Sequence, residues 1–483
     1  MDNASSNQDR PIRLLPALAV DLDGTLLRSD LLLESTLALL ADRPWLLFAF
    51  PWWLWRGKAH LKWQIARRVK LDIATLPWDE RMLTLVRAAV GKREIVLCTA
   101  SDEKLASAVA EHLGVFNLVL ASDGQRNLSG RAKAEALVER YGHQGFDYAG
   151  NARVDLLVWA SARKAIVVNA SAGLAREAAD LCPVETHLPA GGGRVKHWMK
   201  ALRLHQWLKN LLIFVPMLAA HRFLDPATVI VASLGFLAFG LCASSVYLLN
   251  DLLDLTADRQ HHTKHARPFA AGKLPLIHGM VASPLLTLAS FALAIWLSPI
   301  FAALLGLYFL LTLAYSFRLK QRVMADVIVL AGLYTLRIIG GAVLLASAPS
   351  FWLLAFSMFL FLSLAMLKRY TELLTLATHG KNKSKGRGYH VDDLNLLQSM
   401  GAASGYQAVL VLALYINSSA SELLYRRPQV LWLLCPLLLY WVSRVWMIAH
   451  RGLMRDDPVI FAATDRTSQM IVLLCAAVAM VAI

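Results

Sequence analysis

Long stretches without charge dominate the second part of the chain. Before about Arg203, short apolar runs alternate with charged residues, which is the pattern of a globular fold. After it come about nine apolar stretches, several of them shorter than the roughly 20 residues that a perpendicular transmembrane helix needs. Their centres fall near Ile213, Ala238, Ala289, Leu307, Ala331, Phe359, Val411, Leu433 and Leu474. The pattern predicts an all-α membrane region of about nine transmembrane helices behind a soluble region.

Basic residues concentrate in every second loop between the apolar stretches. With a cytoplasmic N-terminus, the loops after the second, fourth, sixth and eighth stretches face the cytoplasm. Those loops contain Arg259, Lys264, Arg267, Lys273, Arg318, Lys320, Arg322, Lys368, Arg369, Lys381, Lys383, Lys385, Arg387, Arg444, Arg451 and Arg455. The opposite loops contain little beyond Arg222, Arg426 and Arg427. This asymmetry is the positive-inside pattern, and it predicts a multi-pass protein of the inner (plasma) membrane with a cytoplasmic N-terminal region.

Composition supports a membrane protein and changes the meaning of the charge. Of the 483 residues, 57% are apolar and 17% charged, which is not the composition of a soluble protein. The net charge of +15 lies mostly in loops between apolar stretches, so we interpret it as topogenic and expect no nucleic-acid partner. The polar opening MDNASSNQDRP does not predict a signal peptide. The five cysteines lack disulfide or metal-ligand spacing, and we interpret them as structural.

In the first part of the chain, apolar runs of strand length end in polar residues. LLPALAV leads into DLDGTLL, so Asp21 and Asp23 follow a predicted strand, and REIVLCTAS places Thr99 and Ser101 at the end of another. FDYAGN and KAIVVNA predict two further strands. Strands that alternate with helices, with reactive groups at the carboxyl ends, predict a doubly wound α/β sheet. Two aspartates separated by one residue suit an aspartyl nucleophile and its acid/base partner.

Acidic residues cluster directly after the second apolar stretch, in NDLLDLTADRQHHTKHARPFAAGKL. One asparagine and three aspartates recur there at spacings of three and four, on one face of a continuous helix: Asn250, Asp251, Asp254 and Asp258. Carboxylates that converge at a membrane surface repel one another unless a cation neutralises them, and Mg²⁺ prefers hard oxygen ligands. The same ion can bridge a diphosphate, whose oxygens nearby cations could bind: Lys264, Arg267 and Lys273. The alternative is a solvated end of an amphipathic helix.

This acidic segment resembles the first Asp-rich motif of the UbiA prenyltransferases. The shared pattern is NDxxDxxxD followed by RP and small residues, from Asn250 through Gly272. The resemblance covers about residues 200 to 483 and implies an intramembrane enzyme of nine helices that binds a magnesium diphosphate. It implies catalytic and metal-binding roles for Asp251, Asp254 and Asp258, with Asn250 as a substrate contact.

The segment after the fourth apolar stretch departs from that pattern. Typical members have a second carboxylate pair there, whereas this chain has Asp326 without a second acid at the expected spacing. Other motifs resemble the decaprenyl-phosphate phosphoribosyltransferase branch: QWLKN from Gln206, LKRYTEL from Leu367 and RGLMRDDPVIFAATDRTS from Arg451. That branch transfers 5-phosphoribosyl from phosphoribosyl pyrophosphate to a polyprenyl phosphate. Cations suit an anionic acceptor, and the candidate contacts are Lys209, Tyr315, Arg318, Lys320 and Arg337. For the basic loop residues among them, topogenic charge alone is the alternative.

The soluble part resembles the haloacid dehalogenase-like phosphatases over about residues 12 to 185. The motif is DxDGT followed by a Ser or Thr, a Lys and an Asp. The resemblance implies that Asp21 is the nucleophile, that Asp23 is the acid/base, and that Thr99 and Lys133 contact phosphate. The implied Mg²⁺ ligands are Asp21, Asp23 and Asp155. The chain departs from the family at Asn151, where an acid is usual.

These patterns predict three regions. Residues 1–190 form a haloacid dehalogenase-like cytosolic domain with a cap insert at about 30–85, residues 191–202 form a linker, and residues 203–483 form a UbiA-like transmembrane transferase domain. The cap contains the Trp-rich stretch RPWLLFAFPWWLWRGKAHLKW with basic flanks. Its dozen or so apolar residues are too few to span a bilayer. Interfacial insertion and burial against the core are both open.

The combined expectation is a Mg²⁺-dependent membrane transferase with a fused phosphatase-like domain that removes the 5-phosphate from the transferred group. The first alternative is a UbiA-type aromatic prenyltransferase with a polyprenyl diphosphate donor, which the missing second carboxylate pair disfavours. The second is a lipid or ion transporter with a non-catalytic regulatory domain, because intramembrane carboxylates also line translocation paths. A transporter would predict paired, repeated broken helices.

Overall fold

The structure is a computed structural model that describes residues 15–380, 382, 387–454 and 457–483. Four basic residues that the charge pattern assigns to cytoplasmic loops lie outside the described residues: Lys381, Lys383, Lys385 and Arg455. The chain divides into two compact units. The first contains the described residues up to Ala201 together with Leu248–Val281. The second contains Leu202–Tyr247 and Ala282–Ile483.

A six-stranded sheet forms the centre of the first unit. Its strands are β1 Leu15–Val20, β2 Arg93–Asp102, β3 Leu118–Ser122, β4 Phe146–Gly150, β5 Lys164–Ala170 and β6 Val184–Pro189. All neighbours pair in parallel, in the order β3-β2-β1-β4-β5-β6. The predicted strands coincide with β1, β2, β4 and β5, and the parallel sheet agrees with the predicted α/β architecture. The order reverses at β1, which is where ligands bind in doubly wound sheets.

Helices cover both faces of this sheet. They are α1 Leu31–Asp42, α2 Phe50–Trp55, α3 Lys58–Ala66, α4 Glu80–Ala89, α5 Glu103–Leu113, α6 Arg131–Tyr141, α7 Leu156–Trp159, α8 Ala172–Ala179 and α9 Arg194–Ala201. Successive residues of β1 point to opposite faces, so Leu18 packs in one core with residues of α4 and α5, and Ala19 packs in the other with residues of α6, α7 and α8. The second half of the predicted linker is therefore helical, since α9 begins at Arg194.

Helices make up the rest of the described chain. They are α10 Val215–Ala219, α11 Pro226–Leu253, α12 Leu255–Gln260, α13 Leu276–Leu297, α14 Pro299–Phe317, α15 Ala325–Leu344, α16 Phe351–Thr378, α17 Leu394–Ile416, α18 Ser419–Leu424, α19 Leu434–His450, α20 Pro458–Thr464 and α21 Arg466–Ala482. The turn between α13 and α14 is short and capped. The Ser298 hydroxyl accepts a hydrogen bond from Phe301 N, and Pro299 occupies the first turn of α14.

Seven helices among the described residues are long and apolar enough to cross a membrane. They correspond to seven of the predicted spans and include α11, α13, α14, α15 and α16. The pair α20 and α21, bent by 78°, makes an eighth if it is counted as one span. Around Ile213 the chain forms a 3-10 segment, Leu204–Phe214, followed by the short α10. The count of nine transmembrane helices therefore stays a prediction. The described residues do contain several helices of the length and hydrophobicity of a multi-pass membrane protein.

Candidate functional sites

The first candidate site lies at the carboxyl end of β1. Asp21 follows β1 directly, and its backbone N–H donates to Ala149 O at the end of β4 (3.0 Å). The chain then turns at Gly24, where φ is +76°. A Cβ at Gly24 would lie 2.0 Å from Nδ2 of Asn151, so only glycine leaves room for this amide. Asn151 therefore packs against the DxDG turn.

A buried chain of polar contacts joins Asp21 to Asp155. Lys133 Nζ donates to Asp21 Oδ1 (2.8 Å) and to the Tyr148 hydroxyl (3.0 Å). The Tyr148 hydroxyl in turn donates to Asp155 Oδ1 (2.9 Å). Lys133 comes from α6 and Tyr148 from β4, so separate elements fix the position of the Asp21 carboxylate. The structure thus brings together three residues that the sequence singled out: Asp21, Lys133 and Asp155.

Asp23 has a different set of partners. Its Oδ1 accepts from Leu31 N at the start of α1 (2.7 Å), and its Oδ2 accepts from the Ser101 hydroxyl (2.7 Å). The Thr99 hydroxyl is fully buried and accepts from Ser101 N (3.0 Å). Of the two hydroxyls at the end of β2, Ser101 is therefore the one in contact with the acid pair.

Burial perturbs both acids of this pair. Desolvation raises the pKa of Asp21 to about 6, against the opposing effect of Lys133. Desolvation likewise raises the pKa of Asp23 to about 7, and the neighbouring charges of Asp30 and Asp21 add to the shift. Carboxyl groups with pKa values near neutrality are typical of sites that exchange protons with a substrate.

Lys62 is a pocket residue that the sequence did not reveal. It lies on α3, within the predicted cap, and its Nζ donates to Ala100 O (2.5 Å) and to Asn127 Oδ1 (2.8 Å). Burial lowers the pKa of Lys62, partly offset by the charges of Asp23 and Asp30. The insert therefore contributes a cation to the carboxyl end of the sheet.

The second candidate site is the carboxylate loop, residues 248–281 of the first unit. Asn250 and Asp251 lie in the last turn of α11, and Asp254 stands at the break before α12. The break is small, because Asp254 N donates to Asn250 O (2.9 Å) and Asp258 N donates to Asp254 O (2.8 Å). Helical spacing therefore persists across it. Asp251 and Asp258 are each only 2% exposed.

One guanidinium joins the two buried acids of this loop. Nη1 of Arg267 lies 3.1 Å from Asp251 Oδ1 and 2.6 Å from Asp258 Oδ2. Burial raises the pKa of Asp258, and Arg267 opposes that shift. Lys264 is exposed on the 3-10 turn Lys264–Ala266 and lowers the same pKa by its charge. Two of the predicted acids, Asp251 and Asp258, thus form one local cluster with the predicted cations Arg267 and Lys264.

The carboxylate loop is fixed to the α/β part of its own unit by a buried ion pair. Glu34 of α1 accepts two hydrogen bonds from Arg259, at 3.0 and 2.7 Å, and one from the Ser29 hydroxyl at 2.6 Å. Arg259 also donates to Ala270 O (2.9 Å). A Cβ at Gly272 would lie 2.8 Å from Arg28 Cβ, so the loop and the α/β part are in close contact.

Both acid clusters offer the hard oxygen ligands that Mg²⁺ prefers. Within the described ranges no three His, Cys, Asp or Glu side chains form a ready-made metal cage. Mg²⁺ is commonly held by one or two carboxylates together with substrate phosphates, so a pair of converging acids fits that mode. Asp251 and Asp258 meet this condition, as do Asp21 and Asp23. Asp155 instead accepts from Tyr148, Asn151 N and Ala152 N, which ties it to its own turn.

In the second unit, two of the predicted cations have internal partners. Arg337 is 5% exposed and donates to Asn210 Oδ1 (2.8 Å) and to the Tyr308 hydroxyl (2.9 Å). Lys209 Nζ donates to Asp457 Oδ2 (3.0 Å), and that oxygen also accepts from Lys368 (2.7 Å). These interactions neutralise buried charge inside the helical unit.

Asp326 is the centre of a further buried network. It is fully buried, and it accepts from Arg369 Nε (2.5 Å) and from the Tyr389 hydroxyl (2.5 Å). Arg369 also donates to Glu372 (2.5 Å) and to the hydroxyl of Tyr315 (2.8 Å). The acid that stands alone in sequence is therefore paired with a cation 43 residues away.

Arg318 and Lys320 differ from these paired cations. Arg318 ends α14 and is exposed, and Lys320 is half-buried on the turn Leu319–Gln321. Neither side chain bonds to another residue in the part of the chain that the structure describes. Both are available for an anion.

Comparison with known proteins identifies the family of the chain. Residues 211–464 match the UbiA prenyltransferase family. The chain belongs to the UbiA prenyltransferase family. A protein of Sinorhizobium fredii, the uncharacterized protein y4nM, is 38% identical over 465 residues, which is 95% of this UbiA-family chain and 89% of the relative. The decaprenyl-phosphate phosphoribosyltransferase of Mycolicibacterium smegmatis is 35% identical over 213 residues, or 43% of this chain and 66% of that protein.

A solved UbiA homolog from Archaeoglobus fulgidus, bound to GPP and Mg²⁺, aligns with a TM-score of 0.46 and 17% identity. The alignment covers 58% of this UbiA-family chain and 99% of that structure.

The helical unit of this UbiA-family protein also contains an apolar cavity of about 590 Å³. Its lining is mainly hydrophobic and includes Pro216, Leu353, Phe356, Tyr415 and Leu434. No sequence motif pointed to it, because its walls come from helices far apart in the chain. Lys368, Arg369, Glu372 and Asp457 lie within the motifs LKRYTEL and RGLMRDDPVIFAATDRTS, but their pairing was not evident from the motifs. Asp457 accepts from Lys368 89 positions away, and Arg369 donates to Asp326 43 positions away.

Proposed function

We propose that this UbiA-family membrane transferase moves a 5-phosphoribosyl group from phosphoribosyl pyrophosphate to a polyprenyl phosphate, with Mg²⁺ bound. The observation that carries the proposal is the 35% identity to a decaprenyl-phosphate phosphoribosyltransferase. The paired state of Asp326 supports it, because a carboxylate held by Arg369 is less suited to a second metal site than a free pair would be.

The carboxylate loop is the proposed donor site. Asp251 and Asp258, with Asp254 beside them, would hold a Mg²⁺ ion that neutralises charge on the diphosphate. Arg267 contacts both buried acids, so its guanidinium would be close to an ion held by them and could bind phosphate oxygens and steady the departing diphosphate. Lys264 is exposed nearby and offers a further donor.

The chemical step needs no strong base. The bond between the ribose anomeric carbon and the diphosphate oxygen breaks, and its electron pair leaves with the diphosphate. An oxygen of the lipid phosphate forms the new bond to that carbon from the opposite side. A phosphate monoester is already ionised at neutral pH, so the attacking oxygen is free of a proton.

Acceptor contacts are proposed for the two predicted cations that have no side-chain partner among the described residues. Arg318 and Lys320 can receive the anionic lipid phosphate without breaking an ion pair. Lys209 and Arg337 remain candidates, but each would have to exchange a present partner for the ligand. The same holds for Tyr315, whose hydroxyl accepts from Arg369. The apolar cavity of about 590 Å³ suits part of an isoprenoid chain.

We further propose that the pocket at the end of β1 removes the 5-phosphate of the transferred group. A carboxylate oxygen of Asp21 would attack the phosphorus while the bond to the ribose C5 oxygen breaks, and Asp23 would protonate that oxygen. Water, activated by Asp23, would then release inorganic phosphate from Asp21. Lys133, which contacts Asp21 at 2.8 Å, supplies positive charge for the phosphoryl oxygens.

The test incubates the detergent-solubilised full chain with Mg²⁺, a polyprenyl phosphate and phosphoribosyl pyrophosphate labelled in the ribose. We expect label in the lipid phase, loss of this transfer in Asp251→Asn, and full transfer in the control Asp225→Asn, which removes a half-exposed acid elsewhere. Asp21→Asn should transfer label but leave the 5-phosphate in place. Product from an isoprenyl diphosphate and an aromatic acid, without label transfer, would instead establish the aromatic prenyltransferase alternative.

A further inference from the structure

The insert between β1 and β2 exposes a row of large apolar side chains. They lie on the 3-10 segment Pro44–Ala49 and on α2, and we call them the apolar ridge: Trp45, Leu47, Phe48, Trp52, Leu54 and Trp55. Phe48 is 86% exposed and Trp55 is 77% exposed. Soluble surfaces rarely collect so many large apolar groups in one place, and such a surface indicates a binding partner.

The segment that bears the ridge is folded. Trp53 is 7% exposed and packs in a small core with Leu39 of α1 and Ile65 of α3. Phe50 packs against the same core, with its ring 5.6 Å from that of Trp53. One side of the segment thus anchors it to the unit. The apolar ridge lies on the other side of the segment, and its exposed side chains are not among the buried residues of this core.

The charge around the ridge is mostly positive, with one nearby acid, Asp42, which pairs with Arg43 (3.2 Å). Residues 43–70 contain seven basic residues and no acidic one; the seven are Arg43, Arg56, Lys58, Lys62, Arg67, Arg68 and Lys70. Arg56 lies over the Trp52 ring at 5.5 Å, and Arg68 lies over the Trp53 ring at 5.0 Å. Aromatic side chains flanked by Arg and Lys match the boundary between acyl chains and anionic headgroups.

We propose that the apolar ridge inserts into the interfacial layer of a membrane that contains anionic lipid. The ridge spans residues 45–55, about half the length needed to cross a bilayer, so it would lie in the interface rather than span it. A protein partner would require acidic groups to meet the basic flanks, whereas a lipid surface supplies them continuously.

The ridge has a direct link to the pocket. It is followed at once by α3, whose Lys62 donates to Ala100 O and Asn127 Oδ1 at the carboxyl end of the sheet. Lipid contact at the ridge would therefore hold the wall of the pocket at the membrane surface. This inference does not depend on the reaction proposed above, because it rests on exposure and charge alone.

The experiment places an environment-sensitive NBD fluorophore on the full chain in nanodiscs. The labelled position is Phe48→Cys, and the matched control is Arg131→Cys, whose side chain is 87% exposed on α6 of the same unit. Both variants also carry Cys475→Ser, so that the fluorophore reacts with the introduced cysteine. Cys475 is half-buried, whereas the other four native cysteines are buried. In discs with phosphatidylglycerol, we expect blue-shifted emission at position 48 and at least twofold quenching by doxyl-lipids, with neither effect at position 131.

Two outcomes would overturn the proposal. The first is water-like, unquenched emission at position 48 equal to that at position 131. The second is a blue shift that doxyl-lipids do not quench, which would indicate a protein surface, such as a second copy of the chain. A variant with Arg43, Arg56 and Lys58 replaced by Gln tests the charge. It should lose quenching by at least half in anionic discs if headgroup attraction contributes.

Discussion

Buried acids meet different surroundings in the pocket at the end of β1 and in the helical unit. Among the described residues, Asp21 contacts one cation, Lys133, and Asp23 accepts only from two neutral donors, Leu31 N and the Ser101 hydroxyl. Burial raises the pKa of both acids. In the helical unit, Asp326 accepts from Arg369 and from Tyr389, and Arg369 extends the network to Glu372.

This contrast distinguishes acids that can exchange a proton from acids whose ion pairs stabilise the fold. An acid that keeps a neutral form within reach of physiological pH can take or give a proton. An acid that is paired on several sides contributes a fixed geometry, and its pair is costly to break once desolvated. The carboxylate loop lies between these cases, because two buried acids share one guanidinium. The following predictions test the contrast in order of decreasing effect.

The largest effect is expected from Arg369→Met. Removal of this guanidinium leaves Asp326 with only the more distant Arg387, 3.8 Å away, which also pairs with Glu372. Because the closest cation of a buried acid is lost, the cost should be about 3 kcal/mol. The measurement is the midpoint of thermal unfolding in detergent, with recovery from the membrane as a second readout. The double variant Asp326→Asn/Arg369→Met should regain part of the loss, because no buried charge is then left unpaired at that site. Unchanged unfolding in the single variant would contradict a structural role.

Lys133→Met should have the next largest effect, on phosphate release rather than on transfer. Loss of the amino group removes the charge that favours ionised Asp21, and we expect release of the 5-phosphate to fall about 10²–10³-fold. Label transfer to lipid should stay within about twofold of wild type. Lys164→Met is the matched control, since Lys164 pairs with Glu185 at the surface. Equal losses in both variants would argue against a role for Lys133 in the reaction.

Asn151→Asp should have a moderate effect on metal dependence. The side chain packs beside Gly24, next to the acid pair, and an added carboxylate supplies a further oxygen ligand for Mg²⁺. We expect the Mg²⁺ concentration for half-maximal phosphate release to fall about 3–10-fold. The Mg²⁺ dependence of label transfer should not move. An unchanged requirement for phosphate release would place residue 151 outside the metal site.

The smallest effect is expected at low pH, where protonation of Asp79 should lower the stability of the fold. Burial disfavours ionised Asp79, but hydrogen bonds from Arg81, Arg28 and Asn169 outweigh it and hold the pKa below its ordinary value of 3.8. The resulting stability is present above pH 4 and is lost as the pH falls below that value. Because the two arginines are more than a third exposed, we expect only about 1–2 kcal/mol. Unfolding midpoints of wild type and Asp79→Asn should therefore differ most at pH 7, and the difference should shrink progressively as the pH falls below 4.

Hydrophobic periodicity and motif spacing predict many of the strands and helices of the fold. The strands β1, β2, β4 and β5 are buried almost throughout, so each reads as a short apolar run. The edge strand β6 is half-buried and its sequence, VETHLP, lacks that signal. The other edge strand, β3, is also half-buried, although its sequence LVLAS is apolar. The span near Ile213 was predicted from hydrophobicity alone, and hydrophobicity does not distinguish a regular helix from the 3-10 segment found there.

The sequence predicts the candidate sites less completely than it predicts the fold. Spacing located Asp21, Asp23 and the carboxylate loop, because their members are close in sequence. It could not reveal that Asp326 pairs with Arg369, or that Lys62 reaches the end of β2, because these contacts join residues 43 and 38 positions apart. The sequence places the boundary between the two domains at residues 191–202, so it predicts that the carboxylate loop belongs to the transmembrane domain. In the structure the loop packs within the first unit.

That packing has a consequence for the modularity of the protein. Glu34 and Arg259 are 225 positions apart and almost fully buried against each other. A polypeptide that stops after Ala201 would keep Glu34 and lose its cation, and it would uncover the surface of Arg28 that faces Gly272. The α/β part is therefore not an independent module. An exchange between homologous proteins, by recombination or by engineering, should carry the carboxylate loop together with the α/β part, so that both sides of the ion pair come from one parent.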